Sequence, residues 1–261
     1  MVDLTGLAGM PIFLDGEALV FHDSVGDAVT VRQRLVDTLK DVWLDPALRG
    51  KEVVYTTYLD VFRAEDREIF GEGGLQHGYV VMPSGRYGRE YPKLVGHYHP
   101  PAPGTSLGYP EVHMVLHGTA HFILQASVPP YEGIRDAVVV EARAGDTFCV
   151  PPNYGHIAVN PSDTTLVFEG FFARGFNADY EPFKMRRGAV YYEIEAEGGE
   201  EVFVKNGHYP DPPELRKVLS SEIPGPEELR GEVSSYSAVV NHPGGFAFLR
   251  DPSLFREQWV L

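Results

Sequence analysis

Cysteine is almost missing from this chain: Cys149 is the single one in 261 residues. No internal disulfide can form, so the fold must rest on its core, and a reducing cytoplasmic setting is expected. Cys149 lies between Phe148 and Val150 in a strand-like run, which predicts a small buried hydrophobe rather than a nucleophile. Positive charge is also scarce. With 22 Lys and Arg against 37 Asp and Glu, the formal charge is −15. Nucleic acid and anionic membrane surfaces both require a basic footprint, so neither is an expected partner. A phosphorylated ligand would have to be met by local cations or a metal, against the overall field. Long apolar runs are absent too, and none approaches the ~20 residues of a membrane span. The opening Met1-Val2-Asp3-Leu4-Thr5 lacks the basic start and apolar core of a signal peptide. These absences predict a soluble, cytoplasmic protein.

What the chain does contain is Gly 28, Pro 21, Tyr 14 and Phe 15, a composition of short strands and tight turns. Short apolar pieces broken by Gly and Pro make residues 1–26 an arm. Across 27–44, Val31, Leu35, Leu39 and Val42 recur at three and four residues, opposite Arg32, Arg34, Asp37, Lys40 and Asp41. This spacing predicts a helix ending at Asp45-Pro46. Beyond Gly50, runs rich in β-branched and aromatic residues predict strands at 53–59, 78–82, 111–116, 120–125, 137–142, 147–150, 156–159, 165–172 and 189–195. Strands this closely spaced, with no helical pattern between them, define an all-β sandwich or barrel. In the tail, 212–219, 226–229 and 252–259 read as short proline-initiated helices.

Ten histidines are present, and four residues stand out by spacing. His97 and His99 are one residue apart, so on a strand both imidazoles point to one face. Glu111 opens the next strand, and His156 follows the turn Pro151-Pro152-Asn153-Tyr154-Gly155. Three neutral nitrogens and one carboxylate suit Fe2+, Mn2+, Ni2+ or Zn2+ and leave coordination positions open for a substrate. By strand alternation His113 shares the face of Glu111, as an acid–base group or as a hydrogen-bonded interior histidine. His117 and His121 flank the turn at Gly118 and are expected in solvent.

The strings Gly96-His97-Tyr98-His99 and Glu111 followed by Gly118 resemble the first cupin motif; Gly145, Pro151, His156 and Asn160 resemble the second. Pro83-Ser84-Gly85-Arg86-Tyr87-Gly88-Arg89-Glu90 and Pro110-Glu111-Val112-His113-Met114-Val115-Leu116-His117-Gly118 narrow the resemblance to the archaeal-type, cupin glucose-6-phosphate isomerases. That resemblance implies a double-stranded β-barrel (jelly roll), here with an N-terminal arm and helix at 1–50, the barrel at 51–200 and a C-terminal extension at 201–261 packed on the barrel or a partner subunit. It implies a homodimer with one divalent ion per chain, interconverting glucose 6-phosphate and fructose 6-phosphate in sugar metabolism. The ion would be held by His97, His99, Glu111 and His156. Glu111 and His113 would be catalytic, with Lys93, Gly96 and Tyr180 as substrate contacts. Two threonine positions that hold the phosphate in the family are different here, at Gly78-Tyr79-Val80-Val81-Met82 and Lys93-Leu94-Val95-Gly96. Lys93, Arg86 and Arg89 are the candidate replacements, with surface solvation as the competing expectation. Asp179-Tyr180 matches a family pair, but Ala178 stands where a histidine is usual. An Fe2+ oxygenase with the same ligands, an isomerase of an unphosphorylated sugar, and a non-catalytic sugar-binding barrel are the alternatives.

Overall fold

The computed structural model describes residues 1–21, 25, 29–70, 73–129, 131, 133–223, 226–229 and 232–255. The chain begins with β1 (Val2–Asp3), α1 (Thr5–Ala8), β2 (Ile12–Asp15) and β3 (Ala18–Phe21). These three strands form one small antiparallel sheet. Then follow β4 (Thr30–Leu35), β5 (Val53–Leu59), β6 (Leu75–Met82), β7 (Glu111–His117), β8 (Thr119–Ala126), β9 (Asp136–Arg143), β10 (Thr147–Val150), β11 (Tyr154–Val159) and β12 (Leu166–Ala173). After a short α2 (Glu181–Met185) come the hairpin β13 (Tyr191–Glu195) and β14 (Glu201–Lys205), then β15 (Leu215–Leu219) and α3 (Ser235–Asn241).

Two sheets carry the architecture, in the orders β10-β7-β12-β6-β5-β4 and β11-β8-β9-β15. They face one another across Phe122 of β8, Phe148 of β10 and Phe168 of β12. The Phe122 ring centroid lies 4.7 Å from Phe148 and 5.3 Å from Phe168, both edge-on. Strand alternation explains the layering. Along β12, Leu166 and Phe168 face the inner core while Val167 and Phe171 face the outer layer. The result is the all-β, double-stranded barrel expected from the sequence, and every predicted strand from 53 to 195 is present.

The outer face of the six-stranded sheet is covered twice. Met10, Ile12 and Leu14 from the arm, and Tyr236, Phe246, Phe248 and Leu249 from the tail, join Tyr79, Met114 and Phe171 in one buried cluster. Glu169 of β12 points into this layer, fully buried. His77 Nε2 lies 3.0 Å from its carboxylate, and Ser235 of α3 donates to it as well. The tail therefore completes a polar network that would otherwise leave a buried charge short of partners. Among the described residues, no helix is long and apolar enough to cross a membrane.

Two sequence expectations need correction. The 27–44 helix is absent: Thr30–Leu35 is strand β4, and only Val36–Leu39 winds, as a 3-10 turn. A four-residue spacing such as Val31 to Leu35 is even, so it fits a strand face as well as a helix stripe, and the antiparallel ladder with β5 decided between them. The 212–219 helix is likewise β15, which adds in parallel to β9. Glu227–Leu229 and Pro252–Leu254 form only single 3-10 turns, and 256–259 lie outside the described residues.

Candidate metal centre

Between the two sheets, His97, His99, Glu111 and His156 bring one potential ligand atom each to within 4.8 Å of one another. Glu111 comes from the six-stranded sheet and His156 from the four-stranded one. The segment carrying His97 is stitched to β11 by two backbone bonds, His97 N to His156 O at 3.2 Å and His156 N to His97 O at 3.0 Å. These put the two imidazoles opposite each other. His97 Nε2 and His99 Nε2 are 3.1 Å apart. Glu111 Oε2 lies 3.5 Å from His99 Nε2 and 3.2 Å from His156 Nε2. His99 donates its Nδ1 proton to the Tyr109 carbonyl at 2.8 Å, which leaves the Nε2 lone pair facing the cluster. Tyr109 belongs to the Pro- and Gly-rich loop before β7, and its ring stacks on Phe176 at 5.0 Å. This loop fixes a ligand as well as edging the site.

Electrostatics favour ligand-ready protonation states. Burial and the neighbouring imidazoles push His97 well below its ordinary value, and burial brings His99 down to about 4. Burial would raise the Glu111 carboxyl, but His113, His156 and His99 outweigh it and hold the group well below the carboxylate range. Three imidazoles converging with one carboxylate fit a divalent first-row ion.

His113 sits beside this cluster. It donates from Nδ1 to the Glu169 carbonyl at 3.1 Å, and its Nε2 lies 3.7 Å from Glu111 Oε1. That nitrogen is buried with no hydrogen-bond partner among the described residues. Gly170 makes room for the pair: an added Cβ would lie 2.5 Å from Glu111 Oε1 and 3.3 Å from the His113 ring. Gly96 is equally constrained, with φ +83° and an added Cβ only 2.3 Å from Ile157 Cγ2. It also lines the cavity beside the His pair, where a substrate contact is expected from the sequence.

The cluster opens into a cavity of about 320 Å3. Tyr180 lines it, with its ring centroid 5.3 Å from that of His97. Lys93 does not reach it. Its buried ammonium donates to the Val42 carbonyl at 2.7 Å, pairs closely with Glu90, and lies 5.1 Å from the Trp43 ring centroid. Lys93 as a substrate contact is therefore corrected to a structural ion pair, because Glu90 three residues earlier captures it. Arg86 is also diverted, to Glu195 at 3.2 Å and the Tyr91 ring at 3.9 Å. Arg89 remains exposed and donates to the Glu195 carbonyl at 3.4 Å.

The cations that do face the cavity are Arg32 and Arg34, assigned from sequence to the outside of a helix. On β4 they lie two residues apart, opposite Thr57 and Tyr55 of β5, and share one face. Burial raises the Tyr180 phenol while Arg34 and Arg32 pull against that shift, so the guanidiniums and the His97 side of the cavity share one field. Among the described residues neither arginine has a carboxylate partner. Alternation of charge over 30–35 was the available signal. His121 also departs from expectation: it is buried against Glu193, 2.7 Å from its carboxylate, because the β13–β14 hairpin covers it.

Two facing, mainly antiparallel sheets with three imidazoles and one glutamate converging between them are a cupin arrangement. The sequence comparisons agree and are more specific. A family model for glucose-6-phosphate isomerase (GPI) matches residues 33–211, and the chain belongs to that family. Glucose-6-phosphate isomerase of Thermococcus litoralis is 28% identical over 141 residues, 54% of this chain and 65% of the relative, so just under two thirds of that enzyme is spanned. The Thermococcus onnurineus enzyme is 29% identical over 178 residues, 66% of this chain and 84% of the relative. The Thermococcus gammatolerans enzyme is 30% identical over 159 residues, 61% and 74% respectively. Among solved structures, oxalate decarboxylase from Bacillus subtilis aligns at 22% identity over 46% of this chain and 25% of that one, with a TM-score of 0.33.

Proposed function

We propose that the protein is a metal-dependent aldose–ketose isomerase acting on a sugar phosphate, glucose 6-phosphate and fructose 6-phosphate, with one divalent ion held by His97, His99, Glu111 and His156. The observation that carries this reading is the pairing of two groups in one cavity: the ligand cluster and, on its β4 wall, two arginines without a carboxylate partner among the described residues. A bound divalent ion would supply Lewis acidity to the two adjacent sugar oxygens whose charge grows as the double bond migrates. The chain supplies the rest. Arg32 and Arg34 bind the phosphate and set the sugar's direction, taking the place of the missing threonines. Glu111 Oε1 points away from His99 and His156, toward His113, and would carry a proton between C1 and C2. His113 Nε2, with the Nδ1 proton held by the Glu169 carbonyl, presents a lone pair that would accept that proton or the hydrogen of a sugar hydroxyl. Phe172 and Phe176 on the wall limit water near these groups. The cytoplasmic homodimer implied by the resemblance belongs to this proposal.

Turnover is the test. Metal-loaded protein should convert fructose 6-phosphate to glucose 6-phosphate, read by coupled assay, and should convert fructose far more slowly. Equal rates on both would reject the phosphate assignment. No conversion of either, with oxygen consumed on another substrate, would replace isomerase with oxygenase.

A further inference from the structure

A second cluster lies on the opposite face of β8 from the barrel interior. Phe122 and Leu124 face the inner core, whereas His121 faces outward under the β13–β14 hairpin. There His121 Nδ1 is 2.7 Å from Glu193 Oε1 and 3.7 Å from Glu201 Oε1. One ligand atom from each of the three lies within 4.8 Å of the others. Glu193 is 3% exposed, yet its Oε2 has no hydrogen-bond partner among the described residues. An ionised carboxylate oxygen can only accept, and a cation would supply the partner that this buried one lacks. Beside the cluster is a cavity of about 380 Å3 whose wall adds the carboxylates of Glu141 and Glu222. Lys217 is the one ammonium on that wall, and it rests 4.7 Å from the centroid of the Phe203 ring. Glu141 is paired with Arg143 at 2.7 Å, so Glu193, Glu201 and Glu222 stand against Lys217 and leave the space negative.

We propose that His121, Glu193 and Glu201 form a second metal site, taking a first-row divalent ion such as Zn2+ or Mn2+ that clips the β13–β14 hairpin to the outer sheet. One imidazole with two carboxylates selects such an ion over Mg2+ or Ca2+, which prefer oxygen alone. Its three ligands come from β8, β13 and β14, so the ion joins strands distant in sequence and stabilises only the folded chain. On binding, the ion displaces the proton now shared between His121 and Glu193, and Glu193 Oε2 gains the partner it lacks.

The test is metal stoichiometry on the full chain, stripped with chelator and dialysed against Zn2+. Wild type should hold two equivalents, a His97→Ala/His99→Ala variant one, and Glu201→Gln one, the last with unchanged isomerase activity. Glu201 is solvent-accessible, so Glu201→Gln should fold; His121→Asn gives a second lesion, and far-UV circular dichroism checks both. In the His97→Ala/His99→Ala background, Zn2+ should raise Tm, and adding Glu201→Gln should abolish the rise. A single wild-type equivalent that is lost from His97→Ala/His99→Ala and kept by Glu201→Gln, or a second one that survives both Glu201→Gln and His121→Asn, overturns the outer site and leaves the central one standing. Loss of metal only from the outer variants would instead overturn the central site.

Discussion

Arg34→Met, which keeps the apolar stem and removes the guanidinium, separates binding from chemistry. Arg34 is half-buried beside Tyr55, whose phenol burial pushes to about 12 against the pull of Arg34. A charge-assisted contact to phosphate in such a setting is worth roughly 1.5–3 kcal/mol. The expected result is therefore a KM for fructose 6-phosphate raised on the order of 10- to 100-fold. The kcat should stay within a few-fold, because in the proposed reading Glu111 and His113 rather than Arg34 handle the proton. Arg32 is exposed, so Arg32→Met should have a smaller effect that salt weakens further. The slow turnover of fructose should be untouched by either change. The assay is steady-state kinetics at two ionic strengths, with inorganic phosphate as a competitive probe. Unchanged KM in a folded Arg34→Met protein, or an equal loss with fructose, would refute phosphate binding at β4.

Lys93→Met should act on stability and leave KM alone. It strands Glu90, whose Oε2 also accepts from Leu44 N, and removing one partner of a buried pair costs roughly 3–5 kcal/mol. Urea denaturation reads the loss, Glu90→Gln in the same chain should restore part of it, and a raised KM with intact stability would return Lys93 to the substrate. Gly170→Ala should displace Glu111 Oε1, given the 2.5 Å approach of the added Cβ. Metal affinity should fall on the order of 10- to 100-fold, measured by chelator competition, and an unchanged affinity would show that the strand yields. The metal-free protein should be acid-sensitive. His99 titrates near 4 when folded and near 6.5 when unfolded, so the unfolded chain takes up the proton first, and stability falls as pH drops from about 6.5 to 4. Glu111, with its carboxyl held low, contributes stability at neutral pH and loses it in the same direction. The His99 contribution alone is about 3 kcal/mol, and a urea midpoint that stays flat between pH 7 and 4.5 contradicts it.

The convergence of His97, His99, Glu111 and His156 was legible because a metal site would dictate both residue type and local spacing. A two-residue step places His97 and His99 on one face, and the donors must be imidazole or carboxylate wherever the chain supplies them. The barrel strands were legible for a similar reason, since β-branched runs bounded by Gly and Pro are local signals. What escaped depends on partners far along the chain. His121 is buried by Glu193, more than seventy residues later. The Val42 carbonyl, with Trp43 beside it, lies about fifty residues before Lys93. β4 was lost because Val31 and Leu35 satisfy two periodicities at once, and only its ladder to β5 distinguishes them. That one ambiguity hid the two cavity-facing cations, since a strand presents Arg32 and Arg34 together where a helix would splay them by about 200°. A phosphate sets no comparable requirement on sequence. Any cation delivered to the cavity wall will serve, so the anion site can migrate from threonines on β6 and the His-pair segment to arginines on an edge strand while the metal ligands stay fixed in order and spacing.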